Sequence, residues 1–393
     1  MTEMANASAL LRGHDDPYHL KDLRRYVVED SVDDIIKTFL IIMYSAISVV
    51  GIFGNLLTIL SILLNKKLRS IPNVYICNLA FADLIVCAVI STFSAYLLTV
   101  DPLRVSAITC QFIGALTTAL LGKTLLGLTA IAVNRYILLV KGSQLYTRVY
   151  TRRSVIVSVI TLWTMAAVLI SPALLGFGQY GYNTKMGTCI FLAHDRMTYI
   201  FVQAILHGMI VGPCIIVTLY CYIRIIIYFR QTQHRLKMSR KNPKAIIPSP
   251  NASSKTNSSN GSHSSSEYTA TTDNSTKVED YELSSTGPSN NNSSGSPGHQ
   301  QYHAAKRNRA SRRVVANLCT VFIVFLLCWS PIVGIFTIDY YNKYPAAVYH
   351  IFFCIAVCNS CMNVFIYAGM NRAFRRTYTQ LLTFQCHRIN SAF

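Results

Sequence analysis

Asp83 lies deep in an apolar run, in Asn78-Leu79-Ala80-Phe81-Ala82-Asp83, with no basic residue beside it in the chain. A carboxylate in such surroundings is expensive to bury and marks a functional position by default. Other apolar runs carry polar residues at similar depth: Asn55, Thr124, Asn359, Ser360 and Asn363. Two chemistries fit this set. Asp83, Thr124, Asn359 and Asn363 can hold a small cation such as sodium, or the whole group can form a buried hydrogen-bond network that rearranges when helices move. Interhelical glue is the plainer alternative, but a lone carboxylate is costly glue, and a switch is the better expectation.

Three further groups could do work. Arg135, in Asn134-Arg135-Tyr136, ends an apolar run at a water-facing boundary; it can snorkel to water, or swing out to meet a partner's carbonyls with its fixed fork of donors. Pro331, in Phe325-Leu326-Leu327-Cys328-Trp329-Ser330-Pro331, removes a backbone hydrogen bond and bends its helix, with Trp329 just before the bend. Trp163 reads as packing. Cys110 and Cys189 both fall on the side expected to be oxidising, where a disulfide would pin a loop over the bundle; two free thiols are the alternative. Lys123 is the oddest residue. It can pair with Asp83, reach an acidic ligand, or snorkel against neighbouring carbonyls.

The elements that position these groups are apolar helices. The chain has 393 residues, 52% hydrophobic and 13% charged, and a mean hydropathy of +0.35. That is too apolar for an ordinary soluble domain. Seven windows suit a spanning helix: 39–64, 74–98, 108–139, 154–176, 198–228, 314–338 and 346–369. Met1 to Asp34 lacks the apolar core of a cleavable signal, so the first span is expected to serve as the targeting signal. Lys66, Lys67 and Arg69 follow the first span, and Lys141, Arg148, Arg152 and Arg153 follow the third. Basic loops stay cytoplasmic, which puts the N-terminus outside, the C-terminus inside and Asn6 (Asn-Ala-Ser) where glycosylation occurs. The net charge of +19 is explained by these loops and anionic lipid, not by nucleic acid.

The expected organisation is an extracellular arm (1–38), spans one to five (39–229), a third cytoplasmic loop (230–310), spans six and seven (311–369), and an amphipathic eighth helix with a tail (370–393). The loop is rich in Ser, Asn, Thr and Gly with few aliphatic residues, a composition that cannot form a core. Asn371 to Leu382 can set Phe374, Tyr378, Leu381 and Leu382 on one face and Arg372, Arg375 and Arg376 on the other, lying flat on the inner leaflet. Cys386 just beyond is a candidate for palmitoylation. The fold class expected is all-α, a seven-transmembrane helix bundle with a short amphipathic eighth helix.

Taken together, these residues resemble the rhodopsin-type (class A) G-protein-coupled receptors. The resemblance rests on Gly54-Asn55, Leu79 to Asp83, Cys110, Asn134-Arg135-Tyr136, Trp163 with Pro172, Cys189, Phe325 to Pro331 and Asn363 to Tyr367. It implies an outside ligand that shifts the sixth helix and opens a cytoplasmic crevice lined by Arg135 and Tyr367. Its implied partners are a heterotrimeric G protein, arrestin, receptor kinases and membrane lipids, and its implied location is the plasma membrane; no cofactor is implied beyond a sodium ion. Asn134 in place of an acid, the proline-free Asn363-Val364-Phe365-Ile366-Tyr367, and Asn359 to Asn363 resemble the melatonin receptors. The Asn-Arg-Tyr motif is also similar to insect orphan receptors typified by Trapped in endoderm and moody.

Several positions depart from the melatonin pattern. Ala173 and Leu192 replace ligand-binding amides, and His207 precedes Pro213 by more positions than usual. Thr117 stands where amine receptors carry Asp, and Val357 where opsins carry the retinal Lys. Thr117, His207 and Trp329 are therefore the pocket candidates, for a small-molecule, lipid or peptide ligand. Either Tyr220 or Tyr222 can be the inward tyrosine of the fifth span; Ile223-Arg224-Ile225 favours Tyr222. A transporter using Asp83 and Lys123 lacks support, since no inverted repeat is visible. No paired-carboxylate, His-Glu or nucleophile-base set supports an enzyme. Asn134 and Ser311, where acids would pair with Arg135, lead us to expect raised resting activity.

An epitope at the N-terminus should be stained on intact cells, and one at the C-terminus only after permeabilisation. Staining of both ends on intact cells would overturn the topology.

Overall fold

The computed structural model describes residues 32–101, 104–193, 195, 197–198, 200, 211–241, 316, 319–335 and 344–385. Asn6, His207, Ser311 and Cys386, and the body of the third loop from 242 to 315, lie outside these residues. The helices are α1 (Asp34–Leu64), α2 (Ile71–Leu97), α3 (Ala107–Lys141), α4 (Arg152–Val168), α5 (Gly212–Lys241), α6 (Cys319–Ile335), α7 (Ala346–Met370) and α8 (Arg372–Leu382). Among the described residues, α1, α2, α3, α5 and α7 are long and apolar enough to cross a membrane.

Their outer faces are apolar and their inner faces partly polar. In α1, Phe39, Ile42, Val49 and Phe53 are exposed while Asn55, Thr58 and Ser61 are buried. Water would reverse that pattern; lipid requires it, because a buried polar side chain then finds partners only on neighbouring helices. Small residues let the helices close. A Cβ on Gly54 would stand 2.7 Å from Val364 Cγ1, and one on Gly51 2.2 Å from Cys87 Sγ.

The apolar core forms two clusters, one built on Leu79, Leu125, Phe325 and Val364, the other on Ala82, Leu120, Val357 and Cys361. Along each helix the polar residues fall at the seam: Asp83 follows Ala82, Thr124 precedes Leu125, and Asn363 precedes Val364. Trp329 packs against both clusters.

Two span ends and one added element differ from the expected windows. The fourth span, expected to reach 176, ends at Val168 and gives way to a single turn, Ser171–Leu174, because Pro172 has no N–H to continue the ladder and disfavours helix in the residue before it. The fifth runs on to Lys241, past the expected span end, as a helix extension carrying the basic Arg235-Leu236-Lys237 beyond the headgroups; the residues lack a breaker until Asn242-Pro243. The all-α fold also carries a hairpin, β1 (Gln179–Asn183) and β2 (Thr188–Leu192), antiparallel with Tyr182 opposite Cys189. Gly187 turns it at φ +59°, and a Cβ there would collide with His350 of α7.

The disulfide expected between Cys110 and Cys189 is present, with Cα atoms 5.3 Å apart. It ties β2 to the start of α3. At the opposite end, Asn371 caps α8 by accepting from the Ala373 N–H at 3.0 Å. Phe374, Thr377 and Tyr378 face inward while Arg372, Arg375 and Arg376 are exposed. Tyr378 Oη lies 2.6 Å from Thr58 Oγ1, and Asn65 Nδ2 donates to Thr377 Oγ1 at 2.8 Å, so α8 is docked on α1. Burial pushes the Tyr378 phenol up to about 12, keeping it protonated. Leu382, expected on the shared apolar face, is 52% exposed.

Gly54→Val should lower the thermal unfolding midpoint of the purified protein, with an overpacking cost of about 1–3 kcal/mol where α1 meets α7. An unchanged midpoint would contradict this close approach.

Candidate ligand and transducer site

The chemistry-bearing residues gather in a polar layer at mid-bundle and around Arg135 at the α8 end. In the polar layer, Asn363 Nδ2 donates to Asp83 Oδ2 at 2.8 Å, joining α7 to α2. Asn55 Nδ2 donates to the Ser360 carbonyl at 2.9 Å and to the Gly51 carbonyl at 3.0 Å, joining α1 to α7. Asp83 is fully buried. Its Oδ1, together with the side-chain oxygens of Asn359 and Asn363, has no hydrogen-bond partner among the described residues. Unpaired buried oxygens of this kind mark water or ion sites.

A cavity of about 30 Å³ adjoins this layer, lined among others by Thr117, Thr124, Trp329, Val357, Asn359 and Ser360. That is room for a water or two; a drug-sized ligand needs at least about 300 Å³. Two of the four candidate cation ligands, Thr124 and Asn359, line it, whereas Asp83 and Asn363 are bonded to each other beside it. Of the pocket candidates, Thr117 and Trp329 line it; His207 is outside the described residues. The backbone of α2 is itself irregular here. Val86–Ser91 is π-helical, which adds a residue to the turn just beyond Asp83 and re-aims the outer part of the helix.

Lys123 is buried without exposure. Its ammonium donates to the Asn78 carbonyl and lies 5.1 Å from the centre of the Trp163 ring. Trp163 Nε1 in turn donates to Asn78 Oδ1 at 2.9 Å. Of the three alternatives weighed for Lys123, its direct contacts are those of a cation held by a carbonyl and a ring face; Trp163 does more than pack.

At the other end, Arg135 follows Asn134 at the close of α3. Its guanidinium sits within electrostatic reach of the Tyr146, Tyr222 and Tyr367 hydroxyls, and its Nε is buried without a partner. No acidic side chain bonds it among the described residues. Tyr222 is 7% exposed with its ring 5.8 Å from Phe322 of α6, while Tyr220 is 52% exposed; Tyr222 is the inward tyrosine. Tyr136 packs edge-on against Tyr220 at 5.8 Å. Tyr367 stacks on Phe374 at 5.5 Å, leaving its hydroxyl unpaired. On α6, Phe325 and Trp329 lie 6.2 Å apart one turn before Pro331, and Trp329 Nε1 is buried without a partner.

Sequence reasoning missed the surroundings of Asn134. It is buried, and its amide lies 3.4 Å from the hydroxyl of Tyr146, on a two-turn loop helix, Ser143–Val149. Tyr146 and Tyr150 have ring centroids 4.9 Å apart, and Tyr75 of α2 meets Tyr150 edge-on. The four-residue spacing of Tyr146 and Tyr150 was the available signal.

Comparison with known proteins agrees with this geometry. The profile described as 7 transmembrane receptor (rhodopsin family) matches residues 54–367. The G-protein coupled receptor moody of Drosophila melanogaster is 27% identical over 361 residues, covering 90% of this chain and 52% of that receptor. Melatonin receptor type 1B-B of Danio rerio is 25% identical over 345 residues, covering 86% of this chain and 79% of that receptor. The chain spans about half the length of the moody receptors it matches. A crystal structure of squid rhodopsin shares the fold, with a TM-score of 0.66 and 16% identity over 92% of this chain and 89% of that one. A seven-helix bundle with a polar layer at its centre, a buried arginine at one end and a disulfide-tied hairpin at the other, matched by the family profile over most of its length, is a member of the rhodopsin family of seven-transmembrane receptors.

Proposed function

We propose that this chain is a plasma-membrane receptor, N-terminus outside, that passes an extracellular signal to a heterotrimeric G protein through the Arg135 crevice. The observation that carries the reading is Arg135 itself: its Nε is buried without a hydrogen-bond partner among the described residues, and no acidic side chain bonds it there. A guanidinium so placed is a set of donors waiting for carbonyl acceptors, and α6, hinged at Pro331, is the wall that must move to admit them. In this orientation the hairpin faces the ligand and α8 lies on the inner leaflet, its arginines toward lipid phosphates. Asn6 is then accessible to glycosylation and Cys386 to palmitoylation. Arrestin and receptor kinases are partners of the same cytoplasmic face.

The ligand class stays open between small molecule, lipid and peptide. The 30 Å³ cavity has to widen before such a ligand reaches Trp329 and Thr117, so binding and rearrangement are one event. Trp329 touches both apolar clusters, which makes it the contact through which a change at the cavity reaches the crevice. The polar layer supplies the second half of the device. The unpaired oxygens of Asp83, Asn359 and Asn363, with Thr124, are the hard donors a small cation such as sodium requires. Whatever fills that space stabilises one helix arrangement over another.

Arg135→Ala should reach the cell surface yet lose nucleotide exchange on the purified G protein by about tenfold or more, the equivalent of a lost charge-assisted hydrogen bond. Full exchange by the variant would remove the role given to Arg135. Asn134→Asp should lower ligand-independent exchange by about two- to fivefold, the worth of one weak ion pair. A basal rate that does not fall would show that the missing acid is not what raises resting activity.

A further inference from the structure

Buried charge must balance in a bilayer, and here the count is short. Around the polar layer the fully buried side chains that carry formal charge, among the described residues, are Asp83 and Lys123, one of each sign; Arg135 lies apart, at the end of α3. Asp83 and Lys123 are not in contact as an ion pair. Asp83 binds Asn363 through one oxygen and leaves the other unpaired, while Lys123 holds the Asn78 carbonyl and the Trp163 face. Neither direct partner of Lys123 is anionic, so locally its charge is solvated by dipoles. Lys123 meets α2 at the Asn78 carbonyl, five residues before Asp83 on the same helix, and Thr124 next to Lys123 lines the cavity.

We propose that Lys123 is the resident counter-charge of Asp83, so that the polar layer is neutral without a mobile ion and its cavity takes water in preference to sodium. The unpaired oxygens satisfy the coordination chemistry of a cation, but a sodium ion added beside both charges would leave the layer with a net positive charge in a medium that screens it poorly. The Asn78 carbonyl and Trp163 ring then act as the clamp that keeps the ammonium at the edge of the layer, close enough to balance the carboxylate and too far to occupy the cavity. This concerns the occupant of the layer and is read out by folding stability, so it stands or falls separately from the signalling reading.

The test compares thermal unfolding of the purified 393-residue chain in detergent in sodium chloride and in choline chloride at about 0.15 M. The wild-type midpoint should be the same in both salts to within about 1 °C. Lys123→Met should become sodium-dependent, with a rise of about 2–4 °C, as expected when a ligand worth about 1 kcal/mol gains a site. Lys123→Arg, which keeps the charge, should stay insensitive. A wild-type protein stabilised by sodium, or a Lys123→Met protein indifferent to it, overturns the proposal. Should Lys123→Met not fold, a second measurement decides: Asp83→Asn alone leaves the ammonium unbalanced, so the double variant Asp83→Asn with Lys123→Met should melt higher than Asp83→Asn. A double variant melting lower than that single one overturns the proposal as well.

Discussion

The hydrogen bond from Asn363 to the fully buried Asp83 carboxylate, 2.8 Å long, is the constraint around which this bundle is arranged. A carboxylate at that depth cannot be left to lipid, so every helix that meets it presents polar atoms. α7 supplies Asn359, Ser360 and Asn363, α3 supplies Thr124 and Lys123, and α1 reaches α7 through Asn55. Each of these residues sacrifices apolar packing, and the layer divides the interior into two clusters that can shift relative to one another. A continuous apolar core would be close-packed and stiff; a core interrupted by hydrogen bonds with spare acceptors has alternative pairings of similar energy.

That division gives the two ends of the molecule different work. The hairpin end is fastened by the Cys110–Cys189 disulfide and by the close fit of Gly187 on His350. At the α8 end, Tyr378 and Thr377 hold α1 and Phe374 stacks on Tyr367 of α7. α3 meets α5 through hydrogen bonds from Thr218 to Thr129 and from Thr129 to the Cys214 carbonyl, whereas α5 meets α6 through the rings of Tyr222 and Phe322, which slide more readily than hydrogen bonds break. Arg135 and Tyr367 face this looser side with unpaired polar atoms. The asymmetry makes the α6 side the natural place for a crevice to open.

Much of this was legible in the residues because lipid imposes simple rules. Runs of apolar residues marked the spans, and α1, α2, α3 and α7 begin and end within a few residues of the expected windows. Polar residues inside the runs marked the layer, and the structure joins Asp83 to Asn363 and Asn55 to Ser360. What was not legible depends on backbone geometry or on contacts distant in sequence. The π-helical stretch Val86–Ser91 has no compositional signature. The hairpin strands are five residues each, too short for an alternation pattern to stand out, and only the positive φ of Gly187 makes their turn. The early end of α4 was written in Ser171-Pro172, a breaker that apolar neighbours concealed. Lys123 was visible as an anomaly, but its carbonyl and ring partners on α2 and α4 could not be chosen by spacing.

The central claim is that the Asp83–Asn363 bond couples α2 to α7 and through them sets the state of the Arg135 crevice. Exchanging the two side chains tests it most directly, by measuring receptor-catalysed nucleotide exchange for Asp83→Asn, Asn363→Asp and the reciprocal double variant. The account predicts that each single variant loses exchange and that the double variant, which restores one carboxylate facing one amide, recovers much of it. A double variant whose loss is the sum of the two single losses would contradict the account, because the two residues would then act independently.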